Sequence, residues 1–217
     1  MISLSLNGSP TETRHVLCLG CHSDDIEIGC GGTILRLAME HPNWVFHWVV
    51  FSAIGARATE AREAAAQFLD PPRLRGPVLH AFQDGYMPFA GAEIKTAFEA
   101  LKSTVSPDLI FTHNRHDAHQ DHRLIAELTW NTFRNHFILE YEIPKYEGDL
   151  GHPNVYVPLS PPTVERKIEV LMECFPSQRS RQWFDRDLFK GHLRLRGVEC
   201  NAASRFAEAF HVRKLVL

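Results

Sequence analysis

The sequence predicts an α/β fold with a mainly parallel sheet. Two observations point to it. Short apolar runs alternate with helical patterns from Val16 to Ile143, the order that builds a parallel sheet with right-handed crossovers. Two of the runs, Val16-Leu17-Cys18-Leu19 and Leu109-Ile110-Phe111, lead straight into stretches rich in His and Asp. In open α/β sheets ligands bind at the carboxyl ends of strands.

Residues 1–15 read as a loose N-terminal arm. The first strand is expected at Val16–Leu19, and Ile34-Leu35-Arg36-Leu37-Ala38-Met39 begins the pattern of the first helix. Glu40-His41-Pro42-Asn43 breaks that helix. Trp44–Phe51, apolar and aromatic, reads as the second strand. Ala58–Leu69, rich in Ala and Glu, is helical, and Asp70-Pro71-Pro72 ends it. Val78–Phe82 is expected as the third strand, before the turn pair Asp84-Gly85. Glu93–Thr104 is helical, Leu109–Thr112 a fourth strand, Gln120–Arg134 a helix and Phe137–Ile143 a fifth strand. Beyond Pro144 the chain is loop-rich apart from helices at Val164–Phe175 and Asp185–Glu199, and Arg205–Val212 suggests an edge strand. The expectation is one Rossmann-like three-layer domain over residues 16–217.

The bulk properties fit one domain. The 217 residues are 44% hydrophobic and 23% charged, with a formal net charge of −3. That length supplies a sizeable core, and the scattered Lys and Arg favour neither nucleic acid nor an anionic membrane. No apolar run is long enough for a transmembrane segment, and Met1–Asn7 lacks a signal-peptide pattern, so a cytoplasmic protein is expected. The sequence leaves oligomeric state open, a homo-oligomer included. Five cysteines show no framework spacing. Cys18-x-x-Cys21 is better read as buried thiols than as a redox pair.

The chemistry concentrates in two stretches. The first is His22-Ser23-Asp24-Asp25, followed by Gly29-Cys30-Gly31-Gly32-Thr33. Imidazole and carboxylate are both ligands for a zinc-type divalent metal. Adjacent Asp side chains point apart, so one can bind metal while the other faces a bound water. The second stretch runs from His113 to His122 and holds four His and two Asp. His119 and His122 are one helical turn apart and can face one point, and Asp121 between them could orient an imidazole. Neighbouring parallel strands would bring both stretches to one sheet edge.

With these residues the chain resembles the N-acetylglucosaminyl-phosphatidylinositol de-N-acetylase and LmbE-like superfamily of zinc-dependent sugar N-deacetylases. The family's His-Pro-Asp-Asp, followed by Gly-Gly and a helix, stands here as His22-Ser23-Asp24-Asp25 with Gly31-Gly32-Thr33. Its His-x-Asp-His stands as His119-Gln120-Asp121-His122. Arg57-x-x-Glu60, Asp84-Gly85, Tyr141-Glu142-Ile143-Pro144, Pro153-Asn154, Ser177-Gln178, Arg196-Gly197 and Ala207–Phe210 extend the likeness over most of the chain from Val16. Ser23 departs from the family's proline, which would stiffen the turn by fixing φ.

The resemblance implies a single deacetylase domain over residues 16–217 that removes the N-acetyl group from an N-acetylglucosamine-type amino sugar derivative, a small molecule or carrier-linked, with the sugar borne on a larger aglycone, nucleotide or lipid. It implies His22, Asp25 and His122 as ligands of Zn2+, with Fe2+ suiting the same donors. Asp24 would be the general base, a protonated His119 the stabiliser of the tetrahedral oxyanion or donor to the leaving amine, and Asp121 the residue that fixes a histidine tautomer. Arg57, Asp84 and Tyr141 would contact substrate.

Rival readings accompany these. Gly29, Gly31 and Gly32 fit close packing better than a phosphate loop. His113, His116 and Asp117 are either supporting residues or plain loop. Arg57 and Glu60 could form a solvated pair, and Asp84-Gly85 a bare turn. Trp44, Trp48 and Trp130 suit the core, and Trp183, in a polar loop, is the one tryptophan with any case for substrate contact. A phosphoesterase would use similar ligands but usually a second metal. A non-catalytic sugar- or nucleotide-binding module would have no need of a base at Asp24.

Overall fold

Residues on successive positions of the first apolar run turn to opposite faces, and both faces are buried. Val16 and Cys18 join one apolar cluster while Leu17, Leu19 and Cys21 join the other. A strand buried on both sides belongs to the centre of a covered sheet. The computed structural model describes residues 12–216. The expected arm therefore falls largely outside the described residues, and His15 already belongs to the first strand.

The elements in order are β1 (His15–His22), α1 (Asp25–Glu40), β2 (Val45–Ser52), α2 (Ala56–Phe68), β3 (Leu74–Leu79), α3 (Gly91–Thr104), β4 (Leu109–His113), α4 (Gln120–Thr132), β5 (Phe137–Tyr141), β6 (Val155–Pro158), α5 (Pro161–Cys174), α6 (Arg186–Glu199) and β7 (Ala207–Val212). Single 3-10 turns lie at Met87–Ala90 and Pro176–Gln178. The strands form one sheet in the order β3-β2-β1-β4-β5-β7-β6. The first five are mutually parallel, and β7 runs antiparallel to both neighbours. Helices α1, α2, α5 and α6 cover one face through a cluster centred on Trp48, Phe46 and Phe111. Helices α3 and α4 cover the other through Phe51, Phe98 and Ile125.

The expected α/β three-layer fold is the one observed, with local differences. The third strand lies at Leu74–Leu79 rather than Val78–Phe82. Gly76-Pro77 inside it reads as a turn signal, but an edge strand tolerates proline. The last strand is not an edge: β7 sits between β5 and β6, and β6, four residues bracketed by prolines, gives too short a pattern to read. Helix α5 starts at Pro161, three residues before the expected Val164, because Ser160 caps it and proline suits a first helical turn.

Helix α1 lies unusually close to its neighbours. A Cβ on Gly29 would fall 2.2 Å from the Tyr141 ring, and one on Gly31 2.7 Å from Phe68. These glycines serve packing, as expected, and seat the amino end of α1 beside the end of β1. Among the described residues no helix is long and apolar enough to cross a membrane.

Candidate active site

The two chemistry-bearing stretches meet where the strand order reverses. β1 pairs with β2 on one side and with β4 on the other, so the carboxyl ends of β1 and β4 flank the switch point of the sheet. His22 ends β1, Ser23 and Asp24 make the turn, and Asp25 opens α1. His113 ends β4, and His119 caps the amino end of α4. His122 thus stands in the first turn of α4, facing β1.

A cavity of about 480 Å3 opens over this junction. Of the nine residues expected at the site, His22, Asp24, Asp25, Arg57, Asp84, His119 and His122 line it, together with Ile54, Lys145, Tyr146, Glu147, Gln178, Arg181 and Trp183. Asp121 and Tyr141 do not. Tyr141 is fully buried against α1, and its hydroxyl donates to Leu19 O at 2.6 Å. The expectation that it contacts substrate is therefore corrected: the last side chain of β5 turns under α1 instead of outward.

Three donor atoms converge at the junction. His22 Nδ1 lies 3.1 Å from His122 Nε2, and Asp25 Oδ2 lies 3.4 Å from the former and 3.6 Å from the latter. The far side of each ring fixes its proton. His122 Nδ1 is 2.9 Å from Asp117 Oδ2; a carboxylate only accepts, so the proton sits on Nδ1 and the lone pair on Nε2. Burial, with His113 beside it, lowers the His122 pKa to about 4 and keeps the ring neutral. His22 Nε2 faces Asp84 Oδ1 at 3.0 Å, which leaves Nδ1 of the neutral ring with its lone pair toward His122.

Two lone pairs and a carboxylate oxygen pointing at one another repel unless a positive charge lies between them. Burial alone would lower the His22 pKa, but the carboxylates of Asp121 and Asp25 outweigh it and raise it well above the ordinary range. The field at this point favours a cation, whether proton or metal ion. The donor set of two imidazoles and a carboxylate fits zinc or ferrous iron. Cys21 Sγ also borders the cluster, but burial pushes its thiol up to about 12, so it stays protonated.

Asp24 stands next to this cluster. Its Oδ1 accepts a 2.6 Å hydrogen bond from Arg57, while its Oδ2 is buried with no partner. Burial raises the Asp24 pKa, and the Arg57 guanidinium only partly offsets it. Arg57 also donates to Glu60 Oε2 at 3.0 Å, and its guanidinium lies over the Phe175 ring. Glu60 is buried and accepts from both Ser177 N and Ser177 Oγ. The Arg57–Glu60 pair is a bracket under Asp24, not a solvated pair.

His119 accepts from Asp121 N at its Nδ1, 3.3 Å away, which leaves Nε2–H for the cavity. Asp121 is fully buried and accepts from Gly85 N at 2.6 Å and Met87 N at 3.3 Å. Its carboxylate approaches His22 Nε2 only to 3.7 Å, beyond hydrogen-bond reach. Asp84 is thus held over His22 by a loop that Asp121 pins, and the turn there is not bare. In the sequence Asp117 reads equally as support or as plain loop. Its contact with His122 is the feature that matters, and an acid five residues before a histidine carries no signal of it. His113 packs face to face on His122, ring centroids 3.9 Å apart.

Fold and site together define a class, a three-layer α/β protein with a His–Asp cluster at the switch point of its parallel sheet. Within it, the chain belongs to the GlcNAc-PI de-N-acetylase (PIG-L) family, which matches residues 17–133. No curated protein matches the chain. Among solved structures it is similar to N,N'-diacetylchitobiose deacetylase from Pyrococcus horikoshii in complex with its inhibitor MPG. The identity is 19%, the TM-score 0.69, and the match covers 92% of this chain and 84% of that one. The conserved protein TT1542 from Thermus thermophilus is 20% identical with a TM-score of 0.72, over 94% and 96% of the two chains. GalB, the 4-carboxy-2-hydroxymuconate hydratase from Pseudomonas putida, is 15% identical with a TM-score of 0.68, over 94% and 98%. At such identities the likeness is one of fold, and the fold hosts more than one reaction.

Proposed function

We propose that the protein is a metal-dependent N-deacetylase that hydrolyses the N-acetyl group of an N-acetylglucosamine-type sugar derivative. One observation carries the reading: the lone pairs of His22 and His122 converge with Asp25 Oδ2, beside the unpartnered Asp24 Oδ2. Binding alone would have no use for that spare carboxylate oxygen. Family membership and the diacetylchitobiose deacetylase among the similar structures support the amide as the target.

His22, Asp25 and His122 would hold the metal. A zinc ion there supplies Lewis acidity and a water whose pKa falls to roughly 7. Asp24 takes a proton from the attacking water at Oδ2, while Arg57 keeps Oδ1 in place. His119 offers Nε2–H to the oxyanion that develops on the acetyl carbonyl. Asp24 then returns the proton to the leaving nitrogen, so that water and amide give acetate and a free amine. Arg57, expected at the substrate, is spent on Asp24 and Glu60 and acts by orienting the base. Asp84, whose side chain is 73% exposed, keeps room to accept from sugar hydroxyls. Trp183 offers an apolar wall to the aglycone.

GalB gives a second reading some weight, because a hydratase also adds water from the same fold. Zinc-loaded protein incubated with N-acetylglucosamine glycosides, nucleotide sugars and lipid-linked sugars should release acetate. Free N-acetylglucosamine should be the poorest of the panel, since it lacks the aglycone whose binding energy orients the amide. No acetate from any of them, with turnover of unsaturated hydroxy acids or of phosphate esters, would transfer the site to a hydratase or phosphoesterase.

A further inference from the structure

The histidines of the second motif are set by a residue that lies outside it. We propose that Asp117 is the positioning residue for both His119 and His122, the part that spacing alone gave to Asp121. The inference rests on the reading of His122 as a metal ligand.

Asp117 is buried, and its two carboxylate oxygens divide the work. Oδ2 accepts from His122 Nδ1 at 2.9 Å. Oδ1 accepts the backbone N–H of His119 at 2.8 Å and faces Lys145 Nζ at 3.0 Å. The first contact fixes the proton of His122, and so the direction of the Nε2 lone pair. The second closes a short turn at the residue that caps α4, which sets the start of the helix that carries His122. One carboxylate therefore controls His122 twice, through its ring and through the His119 backbone at the start of its helix. Only a side chain with two acceptor oxygens can do both; an amide has one. Lys145 supplies the counter-charge that a buried carboxylate requires.

Asp121 is differently employed. Both its carboxylate oxygens go to the backbone of Gly85 and Met87, and Asp121 meets His119 Nδ1 through its backbone N–H and not through its side chain. It fixes the loop that bears Asp84.

Asp117 could instead be a mere clamp between loops, since Lys145 joins it to Asp149. Asp149 separates the two roles. Its Oδ2 accepts from Ala118 N at 2.6 Å, so Asp149→Asn loosens the same loops and leaves the Asp117–His122 contact intact. The test compares zinc affinity by chelator competition in the wild type, Asp117→Asn and Asp149→Asn, with no substrate present. Removing a hydrogen-bond partner of a metal-binding histidine typically weakens the metal about 10–100-fold. That loss is expected for Asp117→Asn, while Asp149→Asn should stay close to wild type. Histidine 15N NMR of the wild-type protein should show the His122 proton on Nδ1.

Wild-type zinc affinity in Asp117→Asn, an equal loss in Asp149→Asn, or a His122 proton on Nε2 would each overturn the assignment. If Asp117→Asn does not fold, the wild-type tautomer decides alone. Neither measurement needs turnover, so a lack of acetate release bears on the proposed activity and not on Asp117.

Discussion

Arg57 and Asp24 make the carboxylate of Asp24 asymmetric. A 2.6 Å hydrogen bond from the guanidinium occupies Oδ1, and Oδ2 is buried with nothing to accept from. Burying an unpartnered carboxylate oxygen is costly. A general base has this form, with one oxygen held for orientation and the other kept for a proton. Asp24→Asn is nearly isosteric but cannot take that proton. Turnover should fall ~10²–10⁴-fold while bound zinc stays at one equivalent, read by steady-state kinetics alongside elemental analysis. Near-native turnover would remove Asp24 from the mechanism.

The same contact predicts how Arg57 variants behave. If Arg57 held substrate directly, its loss would raise KM. Because its guanidinium is spent on Asp24 and Glu60, the effect should fall on kcat. A small misplacement of a catalytic group can cost about 10²-fold, and Arg57→Ala should lose on that order in kcat with KM within a few-fold of wild type. Arg57→Lys should recover little, since an ammonium cannot span the two carboxylates as the planar fork does. A change confined to KM would return Arg57 to the substrate.

Much of this site could be read from the chain before the fold was known, because ligand chemistry is local. His22 and Asp25 lie three residues apart after an apolar run, and His122 lies at a helix start after another. A parallel sheet then has few ways to arrange them. What depends on which way a side chain turns was not legible. Tyr141 ends a strand as His22 and His113 do, but its ring goes under α1, into space left by Gly29. Asp121 lies between two histidines in sequence and serves the backbone of a different loop. Arg57 and Glu60, one turn apart, look the same on paper whether solvated or buried. The third strand was displaced because Gly76-Pro77 carries the composition of a turn.

His22, His119 and His122 should separate cleanly by metal content. His22→Ala and His122→Ala each remove one of the converging nitrogens and should lose zinc on dialysis. His119→Ala should keep it, because the ring contributes neither of the two nitrogens that meet Asp25, and should slow turnover by removing the Nε2–H. Elemental analysis of the three dialysed variants decides. Zinc lost from His119→Ala and kept in His122→Ala would mean that the two histidines exchange roles.

The wall of the cavity that carries Lys145, Tyr146 and Glu147 is anchored by Glu142, and the anchor is sensitive to acid. Glu142 Oε2 accepts from Arg196 at 2.7 Å; Oε1 accepts from Gly151 N at 2.8 Å and faces His211 Nε2 at 3.3 Å. His192 approaches Oε2 at 3.7 Å, and Arg196 also bonds Glu199. Burial would raise the Glu142 pKa, but His192, His211, the Gly151 amide and Arg196 outweigh it and hold it well below the usual glutamate range. A carboxylate depressed in the folded state adds stability above its unfolded pKa, about 4.3, and loses it as pH falls through the folded value. Glu142→Gln leaves Arg196 buried with a weakened partner and should cost about 3–5 kcal/mol at neutral pH. Below pH ~4 the wild type sheds its own advantage, and the gap between the two proteins should narrow. Urea unfolding of both proteins at pH 7 and pH 3 measures it, and an equal penalty at the two pH values would show that Glu142 contributes by shape alone and not by charge.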